Sequence, residues 1–235
     1  MIPNSTACSN KHRLALVVII SVMYQDILKS CQSHNATLVA VSKTKPVSDI
    51  QRFYDLGQRD FGENRVQEMV EKHEQLPDDI RWHQIGHLQK NKVKHIAPFV
   101  HLIHSVDSIE LLRTINKQAA KNNRIINVLL QIKIALEDSK YGLDQERGSE
   151  IIQSCLDGAF DHIAVRGLMG MATFTSNQET IQSEFVRLRS YRDQWVSAYD
   201  IKLDVLSMGM SGDYKLALAE GSTMIRVGSL IFGGR

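Results

Sequence analysis

Leu38-Val39-Ala40-Val41-Ser42, an apolar run that ends in Lys43-Thr44-Lys45-Pro46, is the first of eight short β-branched or apolar runs, and their number decides the fold. Pro46 opens a helical stretch that closes near Gly57, proline being favoured in a first helical turn and glycine just past a last one. The same strand-then-helix unit recurs outward from there. Asp60-Phe61-Gly62-Glu63 precedes a helix from about Arg65 to Glu74, and Trp82-His83-Gln84-Ile85-Gly86 precedes a basic helix from Gln89 that stops before Pro98. Leu102-Ile103-His104-Ser105-Val106 passes through an Asp107 or Ser108 cap into a helix to Asn122. Val128-Leu129-Leu130-Gln131-Ile132 leads to a helix around Glu146 to Asp157, and the sixth run spans His162 to Met169. A long helix from about Gln178 to Tyr199 follows, with Ile181, Phe185, Leu188 and Trp195 at helical spacing. Val205-Leu206-Ser207-Met208, a short helix from Asp213 to Ala219, and Met224-Ile225-Arg226-Val227-Gly228 complete the series.

Eight units of about two dozen residues predict an α/β fold, a single (β/α)8 TIM barrel over residues 38–235. An open doubly wound sheet is the competing architecture. It would normally carry a glycine-rich first turn, and the chain has neither GxGxxG nor a P-loop. Residues 1–37 are expected to add an N-terminal helical segment packed on the barrel. Within it, Leu14 to Met23 after Lys11-His12-Arg13 imitates a secretory signal, but no Ala-x-Ala pattern follows. Tyr24, Gln25, Asp26 and Lys29 instead continue a helical stretch toward Cys31, and the apolar run is too short to span a bilayer.

A chain of 235 residues, 43% hydrophobic and 23% charged, can bury about three quarters of its unfolded surface without disulfides or metal. Lys plus Arg number 28 and Asp plus Glu 26, a net charge of +2, so no global field calls for nucleic acid or a membrane surface as partner. Cys8, Cys31 and Cys155 are an odd number without CxxC spacing, which argues against a disulfide framework or a cysteine zinc site and for a reducing, cytoplasmic setting. Small-molecule chemistry is the expectation, with the basic helix from Gln89 to His95 as the feature a nucleic-acid reading would have to use.

Barrel enzymes carry their sites at the C-terminal ends of the strands. There Lys43 stands out, because desolvation and nearby cations in a barrel mouth lower a lysine pKa and make its amine a nucleophile toward an aldehyde or ketone. Lys45 competes for the role, since strand alternation puts Lys43 and Lys45 on one side and Thr44 on the other. Ser207-Met208-Gly209-Met210-Ser211-Gly212-Asp213 places small residues at a strand-to-helix turn, and Gly228-Ser229 follows the last strand. Both suit a phosphate. His83 and His87 are four apart but share no helical face, so a metal pair is not expected. His101 and His104 read as structural.

Taken together, Ala40-Val41-Ser42-Lys43-Thr44-Lys45-Pro46, Phe61-Gly62-Glu63-Asn64 with Val66-Gln67-Glu68, Trp82-His83 with Ile85-Gly86, His104-Ser105-Val106-Asp107-Ser108, and Leu206-Ser207-Met208-Gly209-Met210-Ser211 resemble the pyridoxal phosphate homeostasis protein family. Gly221-Ser222-Thr223, Arg226, Gly228 and Ile231-Phe232-Gly233 match its closing motif. The resemblance runs from Leu38 to the C-terminus and implies a barrel related to the N-terminal domain of alanine racemase, holding pyridoxal 5'-phosphate (PLP) as a Schiff base on Lys43. By the same resemblance Asn64, Ser207, Gly209, Gly228 and Ser229 belong to the cofactor site, and Arg226 faces the pyridine nitrogen. A cation there disfavours ring protonation and weakens the ring as an electron sink. The implied function is binding, buffering or delivery of PLP without catalytic turnover, as a monomer or weak dimer, with transient contact with PLP-dependent enzymes. A PLP-dependent amino-acid racemase or decarboxylase of the same fold is the alternative; 235 residues leave little room for the second domain such a racemase uses.

Three positions depart from the family pattern: Arg65 replaces a tyrosine, Gln84 an apolar or aromatic residue, and Lys133 an asparagine. If Lys133 pointed into the barrel it would be a rival amine. Glu137, Lys140 and Gly142 keep the downstream spacing, and Lys45 and Lys140 are candidate secondary amines for cofactor transfer.

Overall fold

A computed structural model describes residues 22–135 and 142–233. Cys8, the apolar run up to residue 21, Glu137 and Lys140 lie outside the described residues.

The strands are β1 (Thr37–Val41), β2 (Asp60–Glu63), β3 (Arg81–Gln84), β4 (Leu102–Val106), β5 (Ile126–Gln131), β6 (Ile163–Met169), β7 (Val205–Ser207) and β8 (Met224–Val227). They form a closed barrel in chain order. Every neighbouring pair is parallel, and β1 closes on β8 with Val39 beside Arg226. The helices between them are α2 (Val47–Asp55), α3 (Val66–His73), α4 (Val93–Ile96), α5 (Ile109–Lys121), α6 (Gln145–Leu156), α7 (Gln178–Tyr199), α8 (Tyr214–Ala219) and α9 (Ser229–Phe232). The expected barrel is therefore the fold, and the open sheet is not. Ser108, of the two expected caps, opens α5, its hydroxyl accepting from the Leu111 N–H.

The strands read as continuous apolar runs because both faces are covered. Leu38, Ala40, Phe61 and Trp82 point outward into the layer shared with the helices. Val39, Leu102, Leu129, Met169 and Met224 form a separate cluster drawn from five strands, which fills the barrel interior. The helix over residues 22–33, α1, puts Tyr24, Ile27 and Cys31 on one face and buries all three. Tyr24 meets Phe53 edge-to-face at 5.0 Å and donates to Gln58 Oε1. Burial pushes the Cys31 thiol up to about 11, so it packs as an unreactive apolar group. No helix among the described residues is long and apolar enough to cross a membrane.

Candidate functional site

Val39 and Val41 carry the inward face of β1 to the barrel mouth. The strand stops there: Thr44 adopts φ 65°, in the left-handed region, which breaks the two-residue alternation. The two lysines therefore do not share a side as alternation predicted. Lys43 lines the cavity at the mouth, whereas Lys45 turns away and donates from Nζ to the carbonyls of Phe232 and Gly233, at 3.2 Å each.

The loop bearing Lys43 is held from below by a buried ion cluster that sequence reading missed. Lys72, from α3, donates to Glu63 Oε1 at 2.7 Å, to Glu68 Oε1 at 2.6 Å and to the Ser42 carbonyl at 2.9 Å. The Ser42 hydroxyl donates to Glu63 Oε1, and Glu68 Oε1 also accepts from the Thr44 N–H. Burial raises the Glu63 carboxyl, and the Lys72 charge and hydrogen bond oppose that rise. The residues on both sides of Lys43 are thus tied to one salt-bridged knot.

The cavity is about 590 Å³, within the usual range of small-molecule sites, about 300–1,000 Å³. Lys43 and Asn64 line one side, and Ser211, Gly212, Gly228 and Ser229 another. Arg226 lines it from β8, Met171 and Ile85 supply apolar wall, and Asp213 is the carboxylate among the lining groups. Arg226 is only 4% exposed; its guanidinium donates to the Ser207 carbonyl at 2.8 Å, to Ser207 Oγ at 2.6 Å and to the Gly170 carbonyl at 3.1 Å. Burial lowers its pKa to about 10, which leaves it charged at neutral pH. Two cations thus face one small pocket in a nearly neutral chain. A larger open depression of about 760 Å³ on the outside of α6 has no Lys or Arg among its described lining residues.

Two of the expected cradle residues lie elsewhere. Ser207 is the last residue of β7 and points into the barrel below the mouth, where its hydroxyl is engaged by Arg226 and His104. Gly209 does not line the cavity; its φ of 95° and a space in which a Cβ would stand 2.5 Å from Ala217 Cβ make it a turn and packing residue. Ser211 takes the mouth position instead, and its hydroxyl accepts from the Gly228 N–H at 3.3 Å, joining the two small-residue loops. Asn64 is fixed by close backbone approach, since a Cβ on Gly86 would fall 2.6 Å from the Asn64 carbonyl oxygen.

His83 and His87 are divided as expected: His87 lines the cavity at the mouth and pairs with Asp107 at 3.3 Å, whereas His83 lies inside the barrel below it. Asp60, His83 and His101 bring their ligand atoms within 4.8 Å of one another. Arg81 already grips the Asp60 carboxylate through Nε and Nη2, so the cation of that cluster is a guanidinium.

Residues 24–235 match the family described as alanine racemase, N-terminal domain. The pyridoxal phosphate homeostasis protein of Aquifex aeolicus is 39% identical over 222 residues, 92% of this chain and 96% of the relative. The chain belongs to the pyridoxal phosphate homeostasis protein family. PipY of Synechococcus elongatus, a structure with PLP bound, superposes with a TM-score of 0.78 at 36% identity, covering 85% of this chain and 93% of that one. Alanine racemase from Bartonella henselae shares the fold, at 15% identity and a TM-score of 0.69, with 61% of its chain covered.

The three departures from the pattern of the pyridoxal phosphate homeostasis protein family have distinct placements. Arg65 is an exposed N-cap residue of α3. Gln84 is buried and its amide donates to the carbonyls of Asn64 and Gly86, clamping two mouth loops together, while its Oε1 has no hydrogen-bond partner among the described residues. Lys133 does not line the cavity, and its N–H bonds the Leu143 carbonyl.

Proposed function

We propose that the protein binds pyridoxal 5'-phosphate at the barrel mouth through Lys43 and serves to hold, buffer or deliver it, without turnover of an amino acid. The observation that carries this reading is the convergence on one cavity of an amine, a buried guanidinium and two linked small-residue loops. That donor set matches the three polar parts of the cofactor: an aldehyde, a ring nitrogen and a phosphate. Bound PLP supplies an aldehyde for a lysine amine and an aromatic ring able to withdraw electrons. Lys43 is the amine within reach of the pocket. Ser211, Gly212, Gly228 and Ser229 offer small side chains and close backbone approach for a phosphate. Arg226 holds a positive charge where the ring would lie, and a permanent cation there opposes protonation of the ring nitrogen.

That last feature favours holding the cofactor over amino-acid chemistry, which depends on a strong electron sink. The free Cys31 and Cys155 fit a reducing cytosol, where transient contact with PLP-dependent enzymes would complete delivery.

Borohydride reduction of the PLP-loaded protein followed by peptide mapping is expected to place the pyridoxyl group on Lys43. Labelling mainly at Lys45 or Lys133 would overturn the site. Racemisation or decarboxylation of any amino acid well above the rate with free PLP would overturn the carrier role.

A further inference from the structure

Five side chains from five strands form one hydrogen-bonded line through the barrel interior, from its N-terminal end to the cavity. Arg226 Nη1 donates to Ser207 Oγ at 2.6 Å, and Ser207 Oγ lies 3.0 Å from His104 Nδ1. His104 Nε2 lies 2.9 Å from His83 Nδ1, and His83 Nε2 lies 3.0 Å from Asp60 Oδ1. Beyond it, Arg81 grips the same carboxylate at 2.8 and 2.5 Å. His83, His104 and Ser207 have no solvent exposure at all.

The polarity of this line follows from its ends. A guanidinium can only donate and an ionised carboxylate can only accept. Ser207 Oγ therefore accepts from Arg226, and its single hydrogen goes to His104 Nδ1. His104 then carries its proton on Nε2 and donates to His83 Nδ1, and His83 carries its own on Nε2 and donates to Asp60. Every donor and acceptor in the line is used with both rings neutral. Burial, reinforced by the Arg226 charge, holds His104 well below the usual histidine range. Burial alone would raise the Asp60 carboxyl, but hydrogen bonds from Arg81 and His83 outweigh it and keep it ionised.

We propose that Asp60, His83 and His104 are positioning residues for Arg226: they form a one-way hydrogen-bond relay that locks the Ser207 hydroxyl as an acceptor toward the guanidinium lining the cofactor pocket. The proposal rests on the reading of that pocket as the PLP site. The reverse polarity needs one further proton in the barrel, on His83, and strands the Ser207 hydrogen without an acceptor in the line. Ring-facing charge is thereby coupled to protonation two residues away, among Asp60, Arg81, His101 and His104 around His83, and with Asp213 acting on Arg226 from the mouth.

Nitrogen-15 NMR of the histidine rings in the cofactor-free protein reads the relay directly, and both His83 and His104 should carry their proton on Nε2. In the PLP-loaded protein, His104→Leu should weaken PLP binding about tenfold, the effect of one lost buried hydrogen bond, and move the pH midpoint of the bound-cofactor absorption by about half a unit or more. His104→Gln, whose amide can accept from Ser207 and donate to His83, should restore both to within about twofold of wild type. A His104 proton found on Nδ1, or a His104→Leu protein that loads with wild-type affinity and pH profile, overturns the relay. A wild-type protein that takes up no PLP overturns the pocket reading and the positioning role with it. The ring tautomers keep that outcome distinct from failure of the relay alone.

Discussion

Replacing Lys72 by methionine tests the knot beneath the Lys43 loop. The side chain keeps its length and apolar stem but loses the ammonium that meets Glu63, Glu68 and the Ser42 carbonyl. The Lys72 and Glu63 side chains are 6% and 0% exposed. Removing one member of such a buried pair leaves the other charge uncompensated and costs about 3–5 kcal/mol, a large part of a total stability of about 5–15 kcal/mol. The cost should depend on pH with a defined sign. Glu63 has its pKa raised above the ordinary 4.5 by burial, against the opposition of Lys72, so losing Lys72 raises it further. A raised folded-state pKa means the native state binds the proton more tightly than the unfolded chain does. The stability it contributes is present below about 4.5 and is lost as pH rises through the folded value. Urea unfolding should therefore show Lys72→Met close to wild type near pH 4.5 and fully destabilised near pH 7.5. Adding Glu63→Gln to Lys72→Met should recover at least half of the loss at pH 7.5. An equal loss at both pH values, or a double variant whose loss is the sum of the two single ones, would refute the account.

Three further outcomes follow from the same geometry. Asp60→Asn should lose about 2 kcal/mol at pH 7 in urea unfolding. Asp60 has a pKa held below the ordinary 3.8, so its contribution is present above that value, and variant and wild type should converge as pH falls below it. Gly86→Ala places a Cβ 2.6 Å from the Asn64 carbonyl oxygen, a backbone atom; it should cost about 1–3 kcal/mol in thermal or urea unfolding and weaken PLP uptake. Ser211→Ala removes the hydroxyl linking the two small-residue loops and should raise the PLP dissociation constant about tenfold, measured by absorbance titration, whereas Gly209→Ala should lower stability first.

Most of the barrel was legible because its strands are apolar on both faces and its helices carry period and punctuation. The α7 helix, Gln178–Tyr199, falls where Ile181, Phe185, Leu188 and Trp195 placed it. What escaped was set by closure and by single backbone torsions. Alternation could not separate Lys43 from Lys45 because it presumes an extended chain, and nothing about a threonine announces a left-handed Thr44. Ser207 was read as a mouth residue because β7 ends there. The inward pleat leaves its hydroxyl below the cavity, and the chain reaches the rim at Met210 and Ser211. Lys72 carries no signal that sets it apart in its helix, and spacing alone pairs His83 with His87 and His104 with His101. Their partners come from other strands, and lateral contacts of that kind exist only once the barrel has closed.

The pocket straddles the seam where β1 and β8 meet: Lys43 and Val41 stand on one edge, Arg226 and Gly228 on the other. During synthesis the amine leaves the ribosome long before the guanidinium does, so a nascent chain carries Lys43 without a site around it. A ligand touching both edges binds only the finished ring and draws the folding equilibrium toward it by mass action. Cofactor uptake by this protein therefore doubles as a report that the last strand has docked onto the first.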